Sequence, residues 1–451
     1  MKLQPYPHYK PSGVEWLGDV PKHWEVKRLK WIGDSIIGLT YSPDELVNEE
    51  EGTLVLRASN IQDGRIVLDD NVFVSSEIPR KLRTRAHDLL ICSRNGSRDL
   101  VGKTALITKQ EEGLTFGAFT TIFRSASNDF AFWVFNSGLF KFQAGLYQTS
   151  TIYQLTIGTL NSFHVPMPPP VEQRAIAAFL EREMGRVDRL MAKKRDLIAR
   201  LREKRTALIS RTVTRGLPPT AARAAGLSEN PLLKPSGLDW HGEIPKHWQV
   251  LPFTKYVAEK SDYRGKTPDK QPDGVFLVTA RNVRMGFIDY ESSQEFIAKE
   301  DYNEVMRRGL PKKGDILFTT EAPLGNVALV DREDIALAQR IIRFRMSPAH
   351  FDSEFILFAM MSDHFQVQLK SLSTGSTAEG LKASKLPILR LIAPPLPEQV
   401  AIATYLDKET AKLDALVGKV EEAVERLQEY RTALITAAVT GKIDVRMVTA
   451  P

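Results

Sequence analysis

The residues able to do chemistry in this chain are arginines, asparagines, serines and threonines gathered in glycine-containing loops, and none of them falls into a catalytic spacing. Gly96-Ser97-Arg98-Asp99-Leu100-Val101-Gly102-Lys103-Thr104 imitates a phosphate-binding loop. It carries one residue too many between its glycines for a nest of amides shaped to phosphate. Arg264-Gly265-Lys266-Thr267 lacks the leading glycine altogether. There is no Gly-x-Gly-x-x-Gly, and no Asn/Asp-Pro-Pro-aromatic tetrad able to grip an adenine amino group. The eight histidines are scattered without metal-ligand spacing, and the single cysteine, Cys92, excludes an internal disulfide and a cysteine-rich zinc site. Pro43-Asp44-Glu45 and Pro268-Asp269 have no Glu-x-Lys partner on a strand and read as turns. The chain is therefore expected to be non-catalytic, with no metal or cofactor of its own.

The same residue types suit the reading of double-stranded DNA. Arginine pairs bidentately with guanine and Asn or Gln with adenine, while Lys, Ser and Thr mainly hold phosphates. The richest cluster is Ser93-Arg94-Asn95-Gly96-Ser97-Arg98, just after an apolar run that reads as a strand. Arg57, Asn60, Lys103 and Tyr153 are expected nearby. In the second half of the chain the counterparts are Arg281, Asn282, Arg284, Thr319, Thr320, Gln339, Arg340, Ser376 and Lys382. Each alone is an ordinary solvated loop residue; together they form clusters at matching places in both halves.

The elements that must position these loops are repeated. Glu172–Leu217 and Glu398–Ile443, aligned without a gap, are identical at 20 of 46 positions. Each is a proline-free amphipathic stretch led by Pro-Pro, and apolar residues recur at steps of three, four or seven: Ile176, Leu180, Val187, Leu190, Leu197, Leu201 and Leu208 in the first, Ile402, Leu406, Leu413, Leu416, Val420, Leu427, Tyr430 and Leu434 in the second. That spacing predicts two long helices meeting along a coiled-coil seam. From Arg182 to Arg215 the first carries 12 Lys/Arg against 4 Asp/Glu, whereas Lys408–Gly441 carries 5 against 6. An antiparallel pair would bring Glu421, Glu422, Glu425 and Glu429 near Arg182, Arg186 and Arg189. The alternative use of the basic face is to lie over nucleic-acid phosphates.

A second repeat precedes each divergent segment. Residues 9–24 and 233–248 share ten of sixteen positions, among them Trp16/Trp240, His23/His247 and Trp24/Trp248. The tryptophans read as anchors that pin this arm to its own domain. The segments between arm and helix, roughly 25–167 and 249–393, look α/β or mostly β. Strands are expected at Leu54–Arg57, Asp88–Cys92, Thr104–Ile107 and Thr121–Phe123, then at Val275–Val278, Asp315–Phe318, Val327–Val330 and Ile341–Phe344. Faint correspondence survives in Ala58-Ser59-Asn60-Ile61-x-x-Gly64 with Ala280-Arg281-Asn282-Val283-x-x-Gly286, and in Asp88-Leu89-Leu90 with Asp315-Ile316-Leu317. The expected division is 1–167 (arm and first domain), 168–217 (first helix), 218–232 (linker), 233–393 (arm and second domain), 394–443 (second helix) and 444–451 (tail). The fold class is α+β: two α/β domains joined by two long antiparallel helices in an internal pseudo-two-fold repeat.

With 43% hydrophobic and 26% charged residues and a net charge of +6, the chain has the composition of a soluble globular protein that leans toward a polyanionic partner. Met1-Lys2-Leu3-Gln4-Pro5 opens without the apolar core of a secretory signal, and no apolar run reaches the length of a membrane span. A cytoplasmic location is expected.

The arm Lys-Pro-Ser-Gly-x-x-Trp-x-Gly-x-x-Pro-x-His-Trp, the stretch Gly375-Ser376-Thr377 and the Pro-Pro-x-x-Glu-Gln helix start together resemble the DNA-specificity subunits of type I restriction-modification systems, over essentially the whole chain. The first copy departs from the pattern, with Ser150-Thr151-Ile152-Tyr153 where the second has Gly-Ser-Thr. The resemblance implies two target recognition domains, each reading one half of a split site, and helices that act as spacer and docking surface. It implies two methyltransferase subunits as partners, with ATP-dependent restriction subunits added outside. S-adenosylmethionine would be bound by the methyltransferase, which would flip and methylate adenine at N6. The competing expectation is a helical scaffold that binds only proteins.

Overall fold

The computed structural model describes residues 4–146, 153–263, 268–373 and 380–446. It has two compact units: Met1–Arg195 with Glu422–Pro451, and Asp196–Glu421. Each unit therefore holds one arm, one domain, the start of the long helix that follows that domain and the end of the other long helix. The helices run over Pro170–Arg215 and Leu396–Val439, within a few residues of the spans expected from the apolar spacing.

Both units use one topology. In the first, an antiparallel sheet has the order Thr104–Leu106, Leu89–Cys92, Thr120–Arg124, Asp34–Ile37. In the second, the order is Val327–Leu329, Ile316–Thr319, Ile341–Met346, Val257–Asp262. A smaller sheet packs beside each, containing a parallel pair: Thr115–Phe116 with Thr53–Leu56 in one unit, Val275–Val278 with Ile335–Leu337 in the other. Leu89–Cys92 is apolar at every position because both faces of that strand are covered. Leu89 and Ile91 face the core shared with the helices, and Leu90 and Cys92 face the smaller sheet. Ile316 and Phe318 against Leu317 repeat that division. Burial raises the Cys92 thiol and leaves it a core residue.

Two matched motifs of the sequence are structural clasps. Asp88 receives Nε and Nη2 of Arg124 at 2.8 and 2.6 Å and the amide of Arg85 at 2.9 Å. Asp315 receives Nε and Nη2 of Arg345 at 2.7 and 2.8 Å, Nη1 of Arg343 at 2.7 Å and the amide of Lys312 at 2.9 Å. Burial pushes the Asp315 carboxyl up, but these donors outweigh it and hold the group below the usual carboxylate range. Gly64 and Gly286, which end the other matched motif, sit at φ +81° and +107°, and a Cβ on either would crowd Phe132 or Met361 at 3.1–3.2 Å.

A short antiparallel pair closes each domain: His164–Met167 on Glu25–Arg28, and Arg390–Ala393 on Gln249–Pro252. It delivers the chain to the start of a long helix, where the arm is locked down. Glu172 is buried and accepts from Trp24 Nε1 at 3.1 Å, from the Tyr6 hydroxyl, and pairs with His23 Nε2 at 2.8 Å. Burial and the Glu172 carboxylate push the Tyr6 hydroxyl far above its usual range, which keeps it a donor. Glu398 pairs with His247 Nε2 at 2.8 Å, while Trp248 Nε1 has no partner among the described residues. Next in sequence, Gln173 and Gln399 donate to the carbonyls of Pro168 and Pro394 at 2.8 and 2.9 Å. The Glu-Gln pair thus fixes the arm with one residue and the proline lead with the other. The end of the opposite helix completes the lock. Gly441 (φ +71°) approaches Pro21 and Trp24 so closely that a Cβ would lie 2.4 Å from the proline ring, and Gly216 (φ +90°) lies against Trp248.

Within each unit the two helices are antiparallel. Ile176, Leu180, Met184 and Val187 share a core with Leu434, Ile435 and Val439, and Ile209 and Val213 share one with Ile402 and Leu406. Arg205 pairs with Asp414 at 2.9 Å, and the equivalent repeat positions pair in the other unit, Arg431 with Asp188 at 3.6 Å. The expected partners of the acidic residues need correcting. Glu421 takes Arg202 at 2.8 Å, Glu422 pairs along its own helix with Arg426, and Arg182 and Arg186 pair with Glu183. The locked helix ends set the register, and charge follows it. The expected seam is also incomplete: Leu190, Leu197, Leu416 and Tyr430 are about half exposed, because burial is concentrated where the domains cover the helix ends. The linker contains a short helix, Pro219–Ala224.

Two predictions follow from these contacts. Glu172→Leu strands the buried donors of Trp24 and Tyr6 and should lower stability by about 2–4 kcal/mol in chemical denaturation. Glu398→Leu should cost less, because Glu398 has only His247 to lose. The second concerns His364, whose ring lies 5.1 Å from that of His241; His364 Nδ1 and His241 Nε2 have no partner among the described residues. Burial, then the neighbouring His241, push His364 down to about 4. Between about pH 6.5 and 4 the unfolded chain binds this proton and the folded chain does not, so stability should fall as pH falls through that window, by at most ~3 kcal/mol. His364→Gln should flatten a thermal-melting profile over the same range, while an unchanged profile would contradict the assignment.

Candidate nucleic-acid interface

Three loops of the first unit open from neighbouring strand ends: 57–60 after Thr53–Leu56, 93–98 after Leu89–Cys92, and 117–119 between Thr115–Phe116 and Thr120–Arg124. They line a cleft of about 860 Å³ that brings together Arg57, Arg94, Asn95 and Tyr153 from the sequence-based set, with Tyr41 and Phe119 added. Arg57 is oriented by Asp70, whose carboxylate and carbonyl it reaches at 2.7 and 2.6 Å. Arg94 is exposed and lies 5.2 Å from the centroid of the Phe119 ring, a cation–π contact. Asn95 Oδ1 accepts the Ser97 amide at 3.0 Å and stiffens the loop. Aromatic faces beside arginine edges make a surface suited to nucleobases.

The other expected residues divide between a second location and structural duties. Arg98 and Lys103 line a separate cleft of about 540 Å³ with Lys141, Arg431, Asp63 and Asp99, a mixed-charge setting. The phosphate-loop look-alike runs through a single 3-10 turn, Arg98–Leu100, into a strand, Thr104–Leu106; a phosphate loop would open a helix there. Ser97 is exposed beside it and Ser93 is buried. Asn60 needs correcting. It is fully buried, accepts the Arg57 amide at 2.8 Å and donates to the carbonyls of Val67 and Asp69 at 2.9 and 3.3 Å. Its amide is spent on folding the loop and cannot reach a base edge.

In the second unit Asn282 repeats that clasp, with the Thr279 amide at 2.8 Å and the carbonyls of Asp289 and Ser293 at 2.9 and 2.8 Å, and is corrected in the same way. Thr319 and Thr320 are buried, bonded to Asn326 and to the Arg340 carbonyl, so they are also supports. Arg281, Arg284, Arg340 and Lys382 are exposed and Gln339 is half-buried. Arg284 leans on Asp289 at 3.4 Å, and Arg340 Nε is held by Glu321 at 2.9 Å. Ser376, like 147–152 in the first half, lies outside the described residues. Sequence reading missed Tyr41, Phe119 and Glu321. Phe119 occupies the loop that Gln339 and Arg340 occupy in the other half, so aligning the halves by loops would have found it. Among the described residues no group of three or more His, Cys, Asp or Glu could hold a metal, and no helix is long and apolar enough to cross a membrane.

Comparison with known proteins agrees with this organisation. A family model described as the type I restriction modification DNA specificity domain matches residues 263–426. The chain is similar to the type I restriction enzyme EcoKI specificity subunit of Escherichia coli, 22% identical over 95% of this chain and 91% of that one. It is equally similar to the StySPI specificity subunit of Salmonella potsdam, 22% identical over 95% and 91%. A solved structure from work on complex assembly and conformational transition of the type I R-M system shares the fold, with a TM-score of 0.65 at 17% identity over 94% of this chain and 99% of that one. A specificity-domain model thus matches the second half, and specificity subunits of type I restriction enzymes are what the chain is similar to over nearly its whole length.

Proposed function

We propose that this chain is a non-catalytic subunit that reads a split site in double-stranded DNA, one half with each unit, for a methyltransferase and restriction assembly. One observation carries the reading: the same frame occurs twice, clasped by the same buried groups, while the exposed loop tips carry different base-reading side chains. Arg94, Asn95, Tyr153 and Phe119 serve the first half-site, and Arg281, Arg284, Gln339 and Arg340 serve the second. Lys103, Arg98 and Lys382 supply phosphate contacts, which position without specifying. The repeated arm-and-helix surfaces dock two methyltransferase subunits, and restriction subunits join outside them. S-adenosylmethionine is bound by the methyltransferase, which flips the target adenine and transfers the methyl group to N6. The long helices act as the spacer between the two readers. The complex works in the cytoplasm, where the DNA is.

The test is expression with the cognate methyltransferase subunit in a host free of adenine methylation, followed by genome-wide mapping of N6-methyladenine. A motif of two short halves with a fixed unspecified gap, lost when this chain is omitted, is the expected result. A continuous motif, or one that persists without the chain, overturns the reading; a stable protein complex without sequence-specific DNA binding would mean a protein-only scaffold. Inserting the same four residues, about one turn, into both long helices should change the gap and leave both halves unaltered. A change in either half-site would count against the spacer role.

A further inference from the structure

Hydrogen bonds align the two units more finely than the chain offset does. In the first unit the amides of Ser93 and Arg94 both donate to the Phe119 carbonyl at 3.0 Å, and the Leu155 amide donates to Ser93 at 2.8 Å. In the second, the Thr320 amide donates to the Arg340 carbonyl and the Leu381 amide to Thr320, both at 2.9 Å. Arg94 bridges to Gln154, and Glu321 bridges to Gly380. Arg94 therefore corresponds to Glu321, and Phe119 to Arg340. The backbone is the same and the chemistry is not. In one unit a guanidinium lies over an aromatic ring; in the other a carboxylate grips a guanidinium at 2.9 Å. Both pairs are open to solvent: Phe119 is 60% exposed, and Arg340 and Glu321 are 49% and 45% exposed. Arg340 is also held at φ +75°, where a side chain is disfavoured and is retained only because its surroundings require it.

We propose that this dyad, Arg94 with Phe119 in the first unit and Glu321 with Arg340 in the second, selects a base pair in each half-site. The proposal rests on the DNA-reading function above and adds which positions make the two halves differ. Arg94, with its guanidinium carbon 5.2 Å from the Phe119 ring centroid, offers its donors to O6 and N7 of guanine, and the exposed Phe119 ring suits a thymine methyl beside it. The first dyad therefore takes a G·C pair flanked by thymine. In the second, Arg340 has spent Nε on Glu321 and offers its terminal nitrogens to guanine, while the carboxylate accepts from a cytosine amino group. The second dyad has no apolar face and is indifferent to thymine methyls.

The experiment maps N6-methyladenine for the complete complex carrying the wild-type chain, Arg94→Gln, Phe119→Ala, Glu321→Gln, or the exchanged pair Arg94→Glu with Phe119→Arg. If the wild-type complex yields no split motif, the underlying function fails and the dyad falls with it. Given a wild-type motif, Arg94→Gln should erase a guanine preference at one position of one half. Phe119→Ala should weaken the preference for the neighbouring thymine, and Glu321→Gln should alter only the other half. The exchanged pair should lose the thymine preference altogether. Each lost contact corresponds to about a ten- to hundred-fold loss of discrimination at that position. For a variant that methylates too weakly to map, the purified complex is titrated with duplexes changed one base pair at a time. A flattened preference at a single position supports the dyad. Uniformly weaker binding, an unchanged motif, or changes spread over both halves overturn it.

Discussion

The buried carboxylate at the start of each long helix is the constraint on which the rest of the molecule depends. A charge taken out of water must be matched by donors or it is expelled. Glu172 meets that demand with the indole N–H of Trp24, the imidazole of His23 and the hydroxyl of Tyr6. Those donors belong to the arm, so satisfying the charge docks the arm, and the docked tryptophan forms the seat for the end of the other helix at Gly441. The closing strand pair then has its two ends fixed, and the domain between arm and helix becomes a closed unit. Glu398 repeats the arrangement with His247, but among the described residues the Trp248 N–H has no partner.

On this frame the divergent domains keep whatever makes a loop hold its shape. Asn60 and Asn282 satisfy the same three kinds of backbone group, and Asp88 and Asp315 anchor an arginine at the same point of the central sheet. These groups are buried, so a substitution would leave neighbouring polar atoms stranded. The side chains that project from the same loops bear no such load. They are free to differ, and they do: Arg94 and Phe119 in one unit stand where Glu321 and Arg340 stand in the other. Rigid loops with interchangeable tips are what a reader of varied sequences requires, since specificity comes from edge contacts and affinity from phosphates.

The first cleft offers arginine edges and aromatic faces. The half-buried His241 and His364 are packed against one another at the second arm, and partial burial pushes His364 down to about 4. They contribute to packing.

Much of this was legible in the amino-acid order. The long helices, the arms and eight of the core strands follow from periodicity and from the internal repeat, because local backbone preference and burial pattern agree there. Which loops gather exposed arginines was also legible from composition. What only the tertiary structure decided was the use of individual polar residues. Asn60 and Asn282 read as base contacts and are loop clasps, because burial, invisible in a short polar motif, takes up their hydrogen bonds. Phe119 is absent from the set drawn from composition and is exposed, because the turn after Thr115–Phe116 carries it outward. The helix register too was beyond the sequence. Many offsets satisfy a heptad stripe and a basic-to-acidic match, and the one adopted is set by the locked ends, which puts Arg202 and not Arg182 beside Glu421. Sequence determined the elements and their repetition through local, periodic forces; the fold decided which polar side chains were left exposed, since that depends on contacts between residues far apart in the chain.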